Sequence, residues 1–275
     1  MTSELPLPRF SRGSFASVTA HTDEALFAQL GVRIAFTQRH GGKSVAPYGS
    51  LNLGSAVGDL PAAVEANRDI VLEAFGSHGL ACMVPKQVHG DTVLTVAMPE
   101  EPPQAEEEAD ALAIEVDNVA ALLCFADCVP LIAVSPTGRF AVIHAGWRGV
   151  ESGIAGKAIR HLAALDQKAG APGDPSHYNV YIGAHIHSCC FEADPGLVER
   201  FNRAFAPVAV TDGNHIDLNA AVRSTLAQAG ITPQRIADVA CCTACSPQEY
   251  FSHRASGGTC GRQGAFAIRL AGTSR

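Results

Sequence analysis

With 275 residues, 47% of them apolar and 17% charged, the chain carries enough material to bury a sizeable core and is no disordered polypeptide. A net charge of −7, with no cluster of Lys and Arg, argues against a surface that tracks a nucleic-acid backbone. The opening MTSELPLPRF lacks the basic-then-apolar pattern of an export signal, and no apolar run approaches the roughly 20 residues of a membrane span, so a cytoplasmic protein without nucleic-acid or membrane partners is expected. In chain order, residues 1–15 read as a loose N-terminal segment. Residues 33–37 (RIAFT) read as a strand, and 39–54 as a turn-rich loop able to carry a site. Residues 60–75 place Val64, Ile70, Val71 and Phe75 at helical spacing behind Pro61, which suits a first turn.

Short apolar or alternating runs at 91–98, 110–114, 120–125, 130–134 and 139–143 predict strands, interrupted by the acidic run Glu106-Glu107-Glu108, a solvated loop. Val150, Ile154, Ala158, Leu162 and Leu165 form a helical stripe. A strand follows at 178–182 and a helix at 195–205; Asp217 is a fitting N-cap for a helix through Gln228 that Gly230 stops. Strands at 236–240 and 265–270 close the chain. No repeat or long linker interrupts the pattern, so residues 1–275 are expected to form one mixed α/β domain, a many-stranded sheet with flanking helices.

Three segments collect groups that are costly to bury: Lys86-Gln87-Val88-His89-Gly90-Asp91, Ala126-Asp127-Cys128-Val129-Pro130 and His144-Ala145-Gly146-Trp147-Arg148-Gly149. Each sits at a predicted strand end beside glycine or proline, where α/β folds gather reactive groups. A thiolate and two imidazoles, Cys128 with His89 and His144, suit a tetrahedral Zn²⁺ and leave a fourth position open. The same residues also permit metal-free chemistry, with Cys128 as nucleophile, His144 as base and His89 or Asp127 as orienter. The plainer alternative is two structural histidines and a buried thiol.

Nine cysteines, an odd number in a large chain with no export signal, are read as free thiols; Cys82, Cys124 and Cys241 lie in apolar surroundings. The run Cys242 to Cys245 has redox spacing without the matching fold context and is read as packing. Cys189 and Cys190 are read as poorly placed to share one ion, one of them facing the pocket.

VHG at 88–90, ADCVPL at 126–131 and HAGWRG at 144–149 closely resemble the signature segments of the YfiH-like family, known as multicopper polyphenol oxidoreductase or laccase-domain proteins and as purine nucleoside phosphorylases. PYGSLNLG, VGD, Asn67-Arg68, CCFE, DLN, FSHR and GR extend the resemblance from about Arg33 to Leu270. It implies a single-domain α/β/α layered fold, similar in layout to cytotoxic necrotizing factor-type cysteine hydrolases. It further implies zinc on His89, Cys128 and His144. The implied reaction is phosphorolysis of adenosine, inosine and S-methyl-5′-thioadenosine, with adenosine deaminase activity at the same site. Copper-dependent oxidation of phenols is the other activity attached to the family, so Cu²⁺ is the alternative ion; a laccase proper, however, needs many histidines in H-x-H pairs, and the single pair His185-x-His187 is too few.

For the surrounding groups, Arg39 and Arg148 are candidate phosphate ligands because a guanidinium grips oxyanions bidentately, with surface ion pairs as the alternative. Gln87 and Asn52 are candidate partners for ribose or base. Asp127 either orients a ligand and takes a proton or caps backbone amides. Trp147 stacks on a purine or packs in the core, and Arg254 closes the pocket from the C-terminal loop. The chain departs from the family pattern at Gly183-Ala184-His185-Ile186-His187-Ser188, where a proline-bearing turn is usual, and at His253-Arg254-Ala255; both departures bear on substrate choice. A metal-independent cysteine hydrolase or amidase is the competing function. Purine nucleosides and phosphate are the expected partners, on a monomer or homodimer.

Overall fold

In the computed structural model, residues 4–98, 107–207, 209–211 and 213–272 are described. The predicted strands divide between two six-stranded sheets instead of joining one. In chain order the elements are β1 (Ser11–Phe15), β2 (Val18–Thr22), α1 (Glu24–Leu30), β3 (Val32–Thr37), α2 (Pro61–Ala74), β4 (Ala81–Met83), β5 (Val93–Val96), β6 (Ala111–Ile114), β7 (Val119–Phe125), β8 (Val129–Val134), β9 (Phe140–Ala145), α3 (Trp147–Glu151), α4 (Ile154–Lys168), β10 (Asn179–Ile182), α5 (Pro195–Phe205), α6 (Leu218–Gln228), β11 (Ile236–Asp238) and β12 (Gln263–Arg269). The first sheet runs β1-β2-β3-β12-β7-β4 and the second β11-β10-β8-β9-β6-β5.

The alternation of side chains along each strand explains the layering. Ile34 and Phe36 of β3, Leu123 and Phe125 of β7, Ile132 and Val134 of β8, and Phe140 and Val142 of β9 meet between the sheets. Alternate residues of these strands and of β10 and β12 point outward: Leu122, Phe266 and Ile268 pack with Val71 and Phe75 of the α2 region, while Leu131, Ile143 and Val180 pack under α4, α5 and α6. Strands buried on both faces carry nearly continuous apolar sequence, as VPLIAV in β8 does. The mixed α/β class with flanking helices holds, and the layers number four, helix–sheet–sheet–helix, where three were expected.

The helix boundaries follow their caps. Asp217 accepts from the Ala220 amide at 2.9 Å and Asp194 from the Leu197 amide at 3.0 Å, which places the starts of α6 and α5. The stripe predicted as one helix at 150–165 is broken into α3 and α4, because Gly153 lies in the left-handed region at φ 76°.

The N-terminal segment is not loose from residue 4 onward. Leu5 is buried, its carbonyl accepts from Arg235 Nη1 at 2.9 Å, the Pro6 carbonyl accepts from Asn179 Nδ2 at 2.8 Å, and β1 pairs with β2. The polar runs SRGSF and VTAHT form that hairpin through cross-strand pairing that no local periodicity announces. Glu106 lies outside the described residues; Glu108 is exposed and pairs with Lys86 at 2.8 Å, as a solvated loop would. Among the described residues, no helix is long and apolar enough to cross a membrane.

Leu123 is fully buried between the sheets. Leu123→Ala is expected to lower unfolding free energy by roughly 2–5 kcal/mol in urea titration, against ~0.5 kcal/mol or less for Leu7→Ala at the exposed surface.

Candidate active site and metal centre

Strand register brings the site together. In the antiparallel β8–β9 pair, Val129 lies opposite Ala145, so Cys128 at the entrance of β8 sits beside His144 at the exit of β9. In the β6–β9 pair, Ala111 lies opposite Ile143, which puts Asp110 against His144, whose amide donates to the Asp110 carbonyl at 2.7 Å. The loop before β5 then wraps around Asp110, since β5 runs parallel to β6.

Asp110 is fully buried, and its carboxylate is saturated. It accepts from the amides of Val88, His89 and Gly90 at 3.2, 3.0 and 2.6 Å, and its Oδ1 lies 2.8 Å from His144 Nδ1. Burial pushes the Asp110 pKa up, but the hydrogen bond and charge of His144 and the loop amides outweigh it, and the carboxyl is held below its ordinary value. An ionised carboxylate only accepts, so Nδ1 of His144 carries its proton and Nε2 is left to face the site.

The ligand atoms of His89, Cys128 and His144 lie within 4.8 Å of one another. The two imidazoles meet edge to face, with ring centroids 4.8 Å apart. His89 and Asp127 both adopt left-handed backbone conformations, at φ 61° and 87°, a strain of about 1–3 kcal/mol each that the surrounding contacts sustain. At Gly146, which opens α3, an added Cβ would stand 2.7 Å from His89 Cδ2 and 3.2 Å from Cys128 Sγ, so only glycine lets the chain pass the trio.

The donor set fits a borderline-soft ion: one thiolate, two neutral imidazoles, and a second-layer carboxylate that fixes one imidazole's tautomer. Without metal the trio polarises itself. Burial alone would raise the Cys128 thiol, yet the charge and hydrogen bond of His144 and the hydrogen bond of His89 bring it down to about 6. Burial lowers His144, but the Cys128 charge and Asp110 raise it to about 9. Between those values the pair is a thiolate and an imidazolium.

The trio lies in a cavity of about 890 Å³. Among the described residues, Arg68, Lys86, Arg148, Arg254 and Arg262 line it beside one carboxylate, Asp127, so an acidic protein presents a cationic pocket. Arg68 is held by the Leu53 carbonyl, Arg254 by the carbonyls of Cys190 and Glu192, and Arg262 by those of Cys260 and Gly261. Carbonyls fix a guanidinium without cancelling its charge. Arg148 stacks on Trp147, 4.2 Å from the ring centroid, and both line the cavity.

Of the other residues singled out in the sequence, Gln87 reaches the cavity while its amide clamps the backbone of Cys124 at 2.9 and 2.8 Å. Asp127 also lines it, its two oxygens accepting from the Thr243 hydroxyl at 2.6 Å and the Arg254 amide at 2.7 Å. Arg39 and Asn52 do not line it. Arg39 is engaged by the carbonyls of Gly49 and Pro247 over the Phe251 ring. Asn52, fully buried, ties Gly54, Asp59 and Arg262 together. Ile186 and His253 do line the cavity, so both departures from the family pattern touch it, whereas Cys189 and Cys190 are not among its lining residues. Cys82 is a burial-driven inert thiol, pushed up to about 12.

Sequence reading missed Asp110, Arg68 and Arg262. A lone aspartate at the head of the apolar run ALAI was the available signal for the first: such a charge survives burial only with partners.

The family described as multi-copper polyphenol oxidoreductase laccase matches residues 33–270. The chain belongs to that family. A purine nucleoside phosphorylase YlmD of Geobacillus stearothermophilus is 34% identical over 255 residues, covering 87% of this chain and 90% of its own. A purine nucleoside phosphorylase of Xylella fastidiosa is 33% identical, covering 82% and 88%. Among solved structures, YlmD of Geobacillus stearothermophilus superposes with a TM-score of 0.82 at 30% identity over 98% of this chain and 100% of its own. The YfiH protein of Bacillus licheniformis gives 0.81 at 26% identity, over 94% and 98%. Despite the family's description, the groups of three or more potential ligands found among the described residues are the trio and a set of four cysteines, neither of them a many-histidine copper cluster.

Gly146→Ala is expected to leave the fold intact by circular dichroism while the protein loses the metal ion held by His89, Cys128 and His144. In metal-stripped protein, alkylation of Cys128 is expected to rise with pH through about 6 and then level off, since the lowered thiol is ionised above that pH; His144→Ala should move the midpoint well above neutral.

Proposed function

We propose that the cavity is the active site of a zinc-dependent purine nucleoside phosphorylase. It acts on adenosine, inosine and S-methyl-5′-thioadenosine and also deaminates adenosine. The observation that carries this reading is the placement of the His89, Cys128 and His144 donors, backed by Asp110, in a cationic cavity large enough for a nucleoside and a phosphate. The names of the relatives support it.

In phosphorolysis a phosphate oxygen bonds to C1′ of the ribose as the C1′–N9 bond breaks, and the base leaves after gaining a proton. The cationic wall binds the phosphate dianion. Arg148 is the guanidinium best presented for this, because Trp147 orients it and it makes no carboxylate pair among the described residues. Trp147 carries the guanidiniums of Arg148 and Arg200 over its ring, 4.2 and 5.2 Å from the centroid, and so serves to orient the cationic wall. Arg254, held on the loop that also anchors Asp127, closes the opposite side. Ile186 and His253 set the shape of the pocket around the base or the 5′ substituent. His89, Cys128 and His144 would hold a zinc ion, which would supply Lewis acidity to the reaction. The trio's own task is to keep Cys128 ionised and His144 in the Nδ1–H form, which Asp110 secures. For deamination a water oxygen bonds to C6 as the C6–N bond breaks and ammonia leaves with a proton from that water, and Asp127 is the carboxylate on hand to carry the proton.

A second reading has a specific observation behind it. Cys128, His144 and Asp110 form a thiolate–imidazolium pair with a carboxylate behind it, the arrangement of a cysteine hydrolase or amidase. Copper on the trio, with polyphenol oxidation, is the remaining alternative.

Incubation with adenosine and phosphate is expected to yield adenine and ribose 1-phosphate, and without phosphate a slower release of inosine. Cys128→Ala and His144→Ala should abolish both products along with the zinc held by the trio. Arg148→Ala should raise the KM for phosphate about tenfold with little change in kcat. Unchanged adenosine and no zinc at the trio, with Cys128 alkylated by an electrophilic substrate analogue, would favour the hydrolase.

A further inference from the structure

Outside the cavity wall, two chain segments place four thiols together. Cys189 and Cys190 follow β10, and Cys242 and Cys245 follow β11; the parallel pairing of those strands, with Ile182 opposite Asp238, sends both segments off the sheet edge side by side. The pairing continues past the edge, as the His185 amide donates to the Cys241 carbonyl at 3.2 Å and the Thr243 amide to the His185 carbonyl at 3.0 Å. The four sulfurs then lie within 4.8 Å of one another. Sulfur separations are 3.7 Å for Cys189–Cys190, 3.6 Å for Cys189–Cys245 and 3.4 Å for Cys190–Cys245.

We propose that Cys189, Cys190, Cys242 and Cys245 form a second, structural zinc site. Four sulfurs about 2.3 Å from a tetrahedral zinc are about 3.8 Å apart, close to the separations found, whereas a disulfide would need about 2.05 Å. Packing does not account for the cluster, because Cys189 and Cys245 are exposed and a small hydrophobe belongs in a core. The His187 amide donates to Cys242 Sγ at 3.4 Å, the kind of contact that steadies a metal-bound thiolate. Four protein ligands fill a tetrahedron, so this ion has no open position and serves the fold. What it staples is the cavity wall. One segment carries Ile186 and Phe191 and supplies the carbonyls that hold Arg254; the other carries Thr243, which donates to Asp127. The earlier reading that two adjacent cysteines are poorly placed to share an ion gives way, since their sulfurs turn to the same side.

The test is zinc content per chain of full-length protein purified with zinc present. Two ions are expected in the wild type, one in Cys128→Ala and one in the Cys242→Ser, Cys245→Ser double variant. A wild type holding a single zinc that survives Cys128→Ala and disappears in the double variant supports the site equally, and would leave the trio as the one in error. If the double variant does not fold, the cobalt-substituted Cys128→Ala protein decides: an intense sulfur-to-cobalt charge-transfer band with tetrahedral d–d bands is expected. Loss of all zinc in Cys128→Ala, no charge-transfer band, or an intact mass two hydrogens light from a disulfide among these cysteines in the zinc-grown protein would overturn the proposal.

Discussion

The site depends on one buried negative charge. Removing a carboxylate from water costs several kcal/mol unless its lone pairs are filled, and Asp110 fills them with three successive amides of the His89 loop and the imidazole of His144. Those four bonds do two jobs at once. They hold a loop whose His89 is in a left-handed conformation, and they set which nitrogen of His144 carries the proton. Cys128 is thereby left facing two imidazoles, and the same charge that orients them supports either a bound cation or a thiolate–imidazolium pair. The two functional readings are alternatives of chemistry on one scaffold.

Electrostatics separates the cavity from the rest of the molecule. The chain is acidic overall, but the charged residues that reach the cavity are mostly arginines, and Arg68, Arg254 and Arg262 are pinned by main-chain carbonyls, whose dipoles fix direction while leaving net charge in place. Such a wall holds an anion without the entropy cost of ordering free side chains. Its shape comes from both ends of the chain, with Arg68 from α2, Arg148 from α3 and Arg254 and Arg262 from the C-terminal loop.

Much of this was legible in sequence wherever the signal was local. The α5 and α6 limits followed from Pro195, Asp217 and Gly230, and the strands of the second sheet from their apolar runs. His89, Cys128 and His144 were visible as costly residues at strand ends, although their meeting required the β8–β9 register or the family resemblance. What escaped was settled by distant pairing. The β1–β2 hairpin is polar, and the split into two sheets follows from which strand edges meet. Arg39 and Asn52 looked like ligands because a guanidinium grips oxyanions and an amide can bond ribose or base, but their loop needs their hydrogen bonds to hold itself together. Cys242 and Cys245 looked like packing because Cys189 and Cys190, which lie beside them, arrive from another strand.

The measurement that bears most directly on the role of Asp110 is a crystal structure of the zinc-loaded protein with anomalous data at the zinc edge. One ion is predicted within about 2.0–2.4 Å of Cys128 Sγ, a His89 ring nitrogen and His144 Nε2, with His144 Nδ1 still on the Asp110 carboxylate. An ion bound through Nδ1 of a His144 ring turned away from Asp110, or no ion between the three residues, would contradict the account.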